Sequence, residues 1–174
     1  MTGAGDRAFC SGGDQKQRQE SGDYGPSETG LFEIETFHRV IREVPKPVIA
    51  AIHGTALGGG LELAACADLR VAEEQIKVGQ PETGLGIIPG WSGTQRAVRR
   101  FGAQAVRRMA VMGEVFSAEE AQRLGIVDRV VPTGDAMRTA EEMAANVLQR
   151  GPRAPANQLL RHVAPFGEPS SSDE

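Results

Sequence analysis

Three glycines and a carboxylate, Gly58-Gly59-Gly60-Leu61-Glu62, stand between a continuous apolar stretch and a segment of helical character. A glycine turn feeding a helix leaves backbone N–H groups without intrahelical acceptors, and these, with the helix dipole, stabilise a negatively charged oxygen. An oxyanion hole needs two such donors converging on one atom. A second glycine turn, Cys10-Ser11-Gly12-Gly13-Asp14, is a candidate for the other donor. Taken locally, each cluster could equally be a tight turn.

Glu62 is flanked by Leu61, Leu63 and Ala64. Burial among them would raise its pKa into the range useful for acid–base chemistry near neutrality, whereas on a solvent-facing helix position it would be an ordinary surface carboxylate. Glu82 lies in Gly79-Gln80-Pro81-Glu82, just before the apolar glycine loop of residues 84–90. Two carboxylates can flank one water and act as base and acid. The spacing of Glu62 and Glu82 along the chain leaves open whether they meet.

Other chemistry-bearing patterns are weaker. Gly3-Ala4-Gly5-Asp6 loosely fits a dinucleotide fingerprint but follows no strand. Gly90-Trp91-Ser92-Gly93 is one residue short of a nucleophile elbow and has no convincing His/Asp pairing. Arg99-Arg100 and Arg107-Arg108 make a local basic patch, a solvated face or a phosphate contact. His38, His53 and His162 show no metal-ligand spacing, and Cys10 and Cys66 form no CxxC pair, so neither a metal nor a disulfide is expected.

The elements that must position these groups alternate short strands with helices, which predicts an α/β fold. Apolar residues at Leu31, Ile34, Phe37, Val40, Ile41 and Val44 have helical spacing over 31–44 and predict one core-facing stripe, ended by Pro45 and Pro47. Residues 48–52 read as a strand covered on both faces. A helix follows the three glycines, then short strands at 69–71 and 76–78. Ser92 is expected to cap a helix reaching about residue 100, with another at 103–112. Ser117 and Glu120 form a capping box, Gly125 ends that helix, and a strand over 126–131 and a helix over 135–150 complete the pattern. Residues 1–14 contain no complete strand by pattern, and 15–30 read as a polar surface loop. Residues 1–163 form one domain, and 164–174 read as a disordered tail.

Composition narrows the function classes. With 174 residues there is enough chain for one core, and a net charge of −4 gives no bulk attraction to nucleic acid or an anionic membrane. The longest apolar run, 47–52, is far short of a membrane span. A cytoplasmic location is the default expectation.

The motifs taken in order resemble the enoyl-CoA hydratase/isomerase (crotonase) family. Ala8-Phe9-Cys10-Ser11-Gly12-Gly13-Asp14 is similar to its first oxyanion segment, and Lys46-Pro47-Val48-Ile49-Ala50-Ala51-Ile52-His53-Gly54 with Ala56-Leu57-Gly58-Gly59-Gly60-Leu61-Glu62 to its signature. Gly79-Gln80-Pro81-Glu82, residues 85–90 and Gly93-Thr94-Gln95-Arg96 resemble its second catalytic segment, and residues 117–132 its helix–strand unit; together the resemblance covers about residues 3–160. It implies a spiral of ββα units with trailing helices, and assembly as a homotrimer or a hexamer. It implies an acyl-CoA thioester whose carbonyl sits between the N–H groups of Gly13 and Gly59. Glu62 and Glu82 are the implied acid–base pair, with Cys10, Gly12, Asp14, Gly58, Gly60, Pro89 and Gly90 lining the substrate. No cofactor is implied, coenzyme A being part of the substrate. Tyr24, in the 15–30 loop, is a candidate for the acyl pocket. Because both glutamates are present, the expected reaction is hydration of a 2-enoyl-CoA. Two other readings stay open: another acyl-CoA reaction of the family, either double-bond isomerisation or ring closure of the dihydroxynaphthoyl-CoA synthase type, or a chain that binds acyl-CoA without turnover. The resemblance also implies strands before Met1 and fuller C-terminal helices, so the chain reads as shortened at both ends.

Overall fold

A computed structural model describes residues 1–14, 16, 20 and 31–150. Tyr24, the 15–30 segment apart from residues 16 and 20, and residues 151–174, which include the expected 164–174 tail, lie outside the described residues. Among the described residues seven short strands fall into two sheets. One has the order β1 (Ala8–Cys10), β3 (Thr55–Leu57), β5 (Lys77–Gly79), β6 (Val115–Ser117); the other has the order β2 (Ile49–Ile52), β4 (Leu69–Glu73), β7 (Arg129–Val131). All pairings are parallel except β5 with β6. Within residues 31–150 the helices are α1 (Leu31–Glu43), α2 (Gly59–Ala64), α3 (Arg96–Phe101), α4 (Ala103–Met112), α5 (Ala118–Arg123) and α6 (Ala136–Gln149). Among the described residues none is long and apolar enough to cross a membrane.

Strand β2 shows why a parallel strand reads as an unbroken apolar run. Ala50 and Ile52 join the main core with Leu61, Val78 and Met109, while Ile49 and Ala51 face Ala136 and Ala140 of α6. Successive side chains point to opposite faces, and both faces are covered. Buried Arg70 on β4 binds the layers together. Its Nε donates to the Ile126 carbonyl at 2.7 Å and its Nη1 to the Ala67 carbonyl at 2.9 Å, with Asp128 as counter-ion at 3.4 Å. A buried guanidinium persists only when satisfied in this way.

Several expected boundaries shift for identifiable reasons. β1 is a complete, if three-residue, strand inside the stretch expected to hold none. The 126–131 strand begins only at Arg129, because the N–H groups of Ile126 and Val127 bond back to the Ala121 carbonyl and close α5. At Ser117 only half of the capping box forms. Its hydroxyl accepts from Glu120 N–H at 3.3 Å, but the Glu120 carboxylate pairs with Arg108 and Arg123 instead of reaching back. Helix α1 departs most from expectation: Phe37, Val40 and Val44 are exposed, and the deeply buried side chain is His38.

Candidate active site

The site is assembled where the two glycine turns meet. Gly12, at φ +91°, is packed so closely that a Cβ there would lie 3.1 Å from the Leu57 carbonyl oxygen and 3.2 Å from the Gly59 nitrogen. Gly60 lies against the Cys10 backbone; an added Cβ would come within 2.5 Å of the Cys10 carbonyl carbon. Strand β1 and helix α2 can approach this closely only through glycine. Gly58, at φ +55°, turns the chain into α2, its N–H held by the Gly79 carbonyl of β5 at 2.9 Å. Gly59 is then the first helical residue, so its N–H is among those without an intrahelical acceptor. The Gly12-Gly13 turn and the Gly59 N–H are thus brought side by side.

Both glutamates are buried at this junction. Glu62 is 2% exposed, and its Oε1 accepts a 2.6 Å hydrogen bond from the Gly93 N–H. Burial is the main force raising its pKa to about 7; the Gly93 N–H opposes the rise, the nearby Glu82 carboxylate adds to it, and the Trp91 backbone and Arg96 oppose it. Glu82, on the 3-10 turn Pro81–Leu85, is also buried and its pKa is raised by that burial. Its carboxylate abuts Gly58, where a Cβ would lie 3.0 Å from Oε1, and its Oε2 has no hydrogen-bond partner among the described residues. The two carboxylates therefore share one enclosed region with the paired glycine turns, and neither is a surface charge.

Of the other expected residues, Cys10 supplies backbone to the junction, and Pro89 packs against Gly93, where an added Cβ would lie 2.6 Å from the proline Cβ. Gly90 is exposed on the loop above. Asp14 is not brought into the pocket: it is exposed, and its Oδ1 accepts from Lys16 N–H at 2.9 Å. Gln80 was not singled out from sequence. It is fully buried, neither amide atom has a partner among the described residues, and its Nε2 is the nearest neighbour a Gly93 side chain would meet. A wholly buried amide with no partner needs something polar to bind, and the only signal in the sequence was its place two residues before Glu82. The position of the Trp91 ring was not anticipated; it lies so close over Gly59 that a Cβ there would collide with it.

Ser92 does not cap a helix through its side chain. It adopts φ +73°, its carbonyl accepts from Gln95 and Arg96 N–H at 3.2 and 2.7 Å, and α3 starts only at Arg96. Left-handed backbone costs a non-glycine residue about 1 kcal/mol. Ser92→Gly is therefore expected to raise the denaturant midpoint modestly. A lower midpoint would show that the serine side chain makes a compensating contact. Among the described residues no group of three His, Cys, Asp or Glu is placed to hold a metal ion, and the basic patch is partly neutralised, Arg108 pairing with Glu114 and Glu120.

Comparison with known proteins places this geometry in context. The profile of the enoyl-CoA hydratase/isomerase family matches residues 1–165. The crotonyl-CoA hydratase of Syntrophomonas wolfei is 40% identical over 151 residues, covering 87% of this chain and 58% of the relative. The short-chain-enoyl-CoA hydratase of Clostridium acetobutylicum is 38% identical over 154 residues, covering 88% and 59%. The crystal structure of an enoyl-CoA hydratase from Bacillus anthracis superposes with a TM-score of 0.78 at 40% identity, over 86% of this chain and 58% of that one. The chain thus spans under three-fifths of the length of these relatives.

Proposed function

The chain belongs to the enoyl-CoA hydratase/isomerase family and has its crotonase-type α/β fold, and from that premise we propose that it hydrates a 2-enoyl-CoA thioester. The observation that carries the reading is the pair of buried glutamates with raised pKa values beside the junction where Gly12 meets Gly59. The thioester oxygen sits between the N–H groups of Gly13 and Gly59, in the frame made by Cys10, Gly12, Gly58 and Gly60. Water adds its oxygen to the β-carbon as one carboxylate takes its proton. Negative charge moves to the thioester oxygen, where the two N–H groups stabilise it. The second glutamate, in its acid form, returns a proton to the α-carbon. Glu62, with a backbone donor on Oε1, suits the base, and Glu82 suits the acid. The proton gained by one and that lost by the other balance, so the pair ends with its starting charge and titrates as a unit.

The chemistry calls for no metal or redox group, and coenzyme A arrives with the substrate. Assembly into trimers or pairs of trimers is part of the same reading.

The test follows the conjugated-thioester absorbance of crotonyl-CoA, with circular dichroism on the same samples. The parent is expected to remove the absorbance, and Glu82→Gln to slow it by about a hundredfold or more, since that variant loses a general acid. A folded parent that leaves crotonyl-CoA untouched would overturn the hydratase reading.

A further inference from the structure

Loop 89–95 presents the Gly93 N–H to Glu62 and carries the Trp91 ring over Gly59, so whatever holds this loop controls both. The holder is unusual. Arg96, at the start of α3, directs its Nη1 to the Trp91 carbonyl at 3.2 Å and to Nδ1 of His38 at 3.3 Å. His38 is the side chain that α1 buries in place of its apolar neighbours, and its ring stands edge-on to Trp91, centroids 6.4 Å apart at 80°.

We infer that Arg96, seated on His38, is a positioning residue for Glu62: it fixes the Trp91–Gly93 backbone so that the Gly93 N–H stays aimed at the carboxylate and the indole stays over Gly59. The catalytic part of this inference rests on the proposed role of Glu62. Three features support it. Both bonds leave the Nη1 of Arg96, whose two N–H groups are fixed in the guanidinium plane and so set the carbonyl and the imidazole nitrogen in one geometry, where the three donors of an ammonium rotate freely and sit on a shorter reach. His38 accepts only while neutral, and its pKa is lowered to about 4 by burial and by the charges of Arg96 and Arg42, against a small upward pull from the Trp91 backbone. The bracket is therefore intact throughout the neutral range. Arg96 also acts directly, favouring the charged form of Glu62. The groups facing Glu62 are Glu82 from the 3-10 turn, the backbone of Gly93 and Trp91, and Arg96; Cys66, just past the end of α2, donates its thiol to the Glu62 carbonyl.

Trp91 is the single tryptophan of the chain, so its fluorescence reports this bracket without any substrate. In Arg96→Ala the emission is expected to move to the red and to become more open to acrylamide quenching. The acidic limb of kcat/KM for crotonyl-CoA should move up by about one pH unit, because Glu62 loses an opposite charge and a well-aimed donor. Arg96→Lys should restore most of the pH profile but little of the fluorescence, separating charge from fork. His38→Phe keeps the ring packing, removes the acceptor and should show both effects at reduced size, and it carries the test if Arg96→Ala fails to fold. A folded Arg96→Ala or His38→Phe with parental fluorescence overturns the inference, even where the pH profile moves, since Arg96 would then act only as a distant charge. If the parent does not hydrate crotonyl-CoA, the proposed function falls, while the fluorescence arm still decides the bracket.

Discussion

Glu62→Gln is expected to lower kcat/KM for crotonyl-CoA by about a thousandfold, in the range for loss of a positioned general base. The substitution is nearly isosteric, and the new amide oxygen can still accept from the Gly93 N–H that now lies 2.6 Å from Oε1. The loss would therefore report the missing charge and not a collapsed loop. In the parent, the base form of Glu62 is present only above its pKa of about 7, so kcat/KM should fall about tenfold per unit below neutrality. In the proposed mechanism Glu82, also raised by burial, acts with its proton on, so the profile is expected to have an alkaline limb. The resulting bell belongs to the pair. A Glu62→Gln variant with near-parental turnover would move the base elsewhere.

The same residue makes an opposite prediction for stability. Its carboxyl titrates near 4.5 when unfolded and near 7 when folded, burial being the main cause. A carboxyl with a raised folded pKa contributes its full share of stability below the unfolded value, and that share is lost as pH rises towards and through 7. The parent therefore carries a buried charge at pH 8 that Glu62→Gln does not. Thermal melts should show the variant gaining on the parent between pH 5 and pH 8, with the gap closing again in acid. Reduced activity with raised stability is the signature of a strained functional group; a purely structural Glu62 would lose both together.

The legible parts of the fold were those governed by local rules. The β2 run, the helix that follows the three glycines and the limits of α4 follow from periodicity and glycine position, and the structure has them where expected. Helix α1 was misjudged because the rule sorts residues by polarity. Polarity alone would bury Phe37 and expose His38, yet a neutral imidazole with an arginine partner is cheap to bury, and 38 falls on the inward side with Ile34 and Ile41. Ser92 was misjudged for a related reason. Its side-chain type suggests a cap, but its backbone is set by the loop that must bring Gly93 to Glu62, a contact 31 residues distant. The packing of Gln80 and of the Trp91 ring was not legible locally, because it lies wholly in what surrounds them. The glutamate pair was visible as residue types, but their shared burial is a tertiary fact.

Gly60→Ala is expected to be the most damaging of the small substitutions at this junction. The added methyl would meet the carbonyl oxygen and carbon of Cys10, the latter at 2.5 Å, and backbone at the end of β1 cannot rotate aside as a side chain could. Overpacking of this kind costs up to about 3 kcal/mol, or a fall in Tm of roughly 10 °C for a chain of this size. Gly59→Ala would instead strike the Trp91 ring, which can swing, so its cost in stability should be smaller. Gly84→Ala meets nothing within 4 Å and has no left-handed backbone, so it serves as the neutral control. The damage should also reach the chemistry. Cys10 leads through Ser11 into Gly12 and Gly13, and pushing it away from α2 would separate the Gly13 and Gly59 donors proposed to act on one oxygen. At temperatures where Gly60→Ala is still folded, kcat should fall more than KM rises, because the donors matter most when charge has built up on that oxygen. Parental kcat in a folded Gly60→Ala would mean that the two turns need not touch for the reaction, and would remove the oxyanion role from this junction.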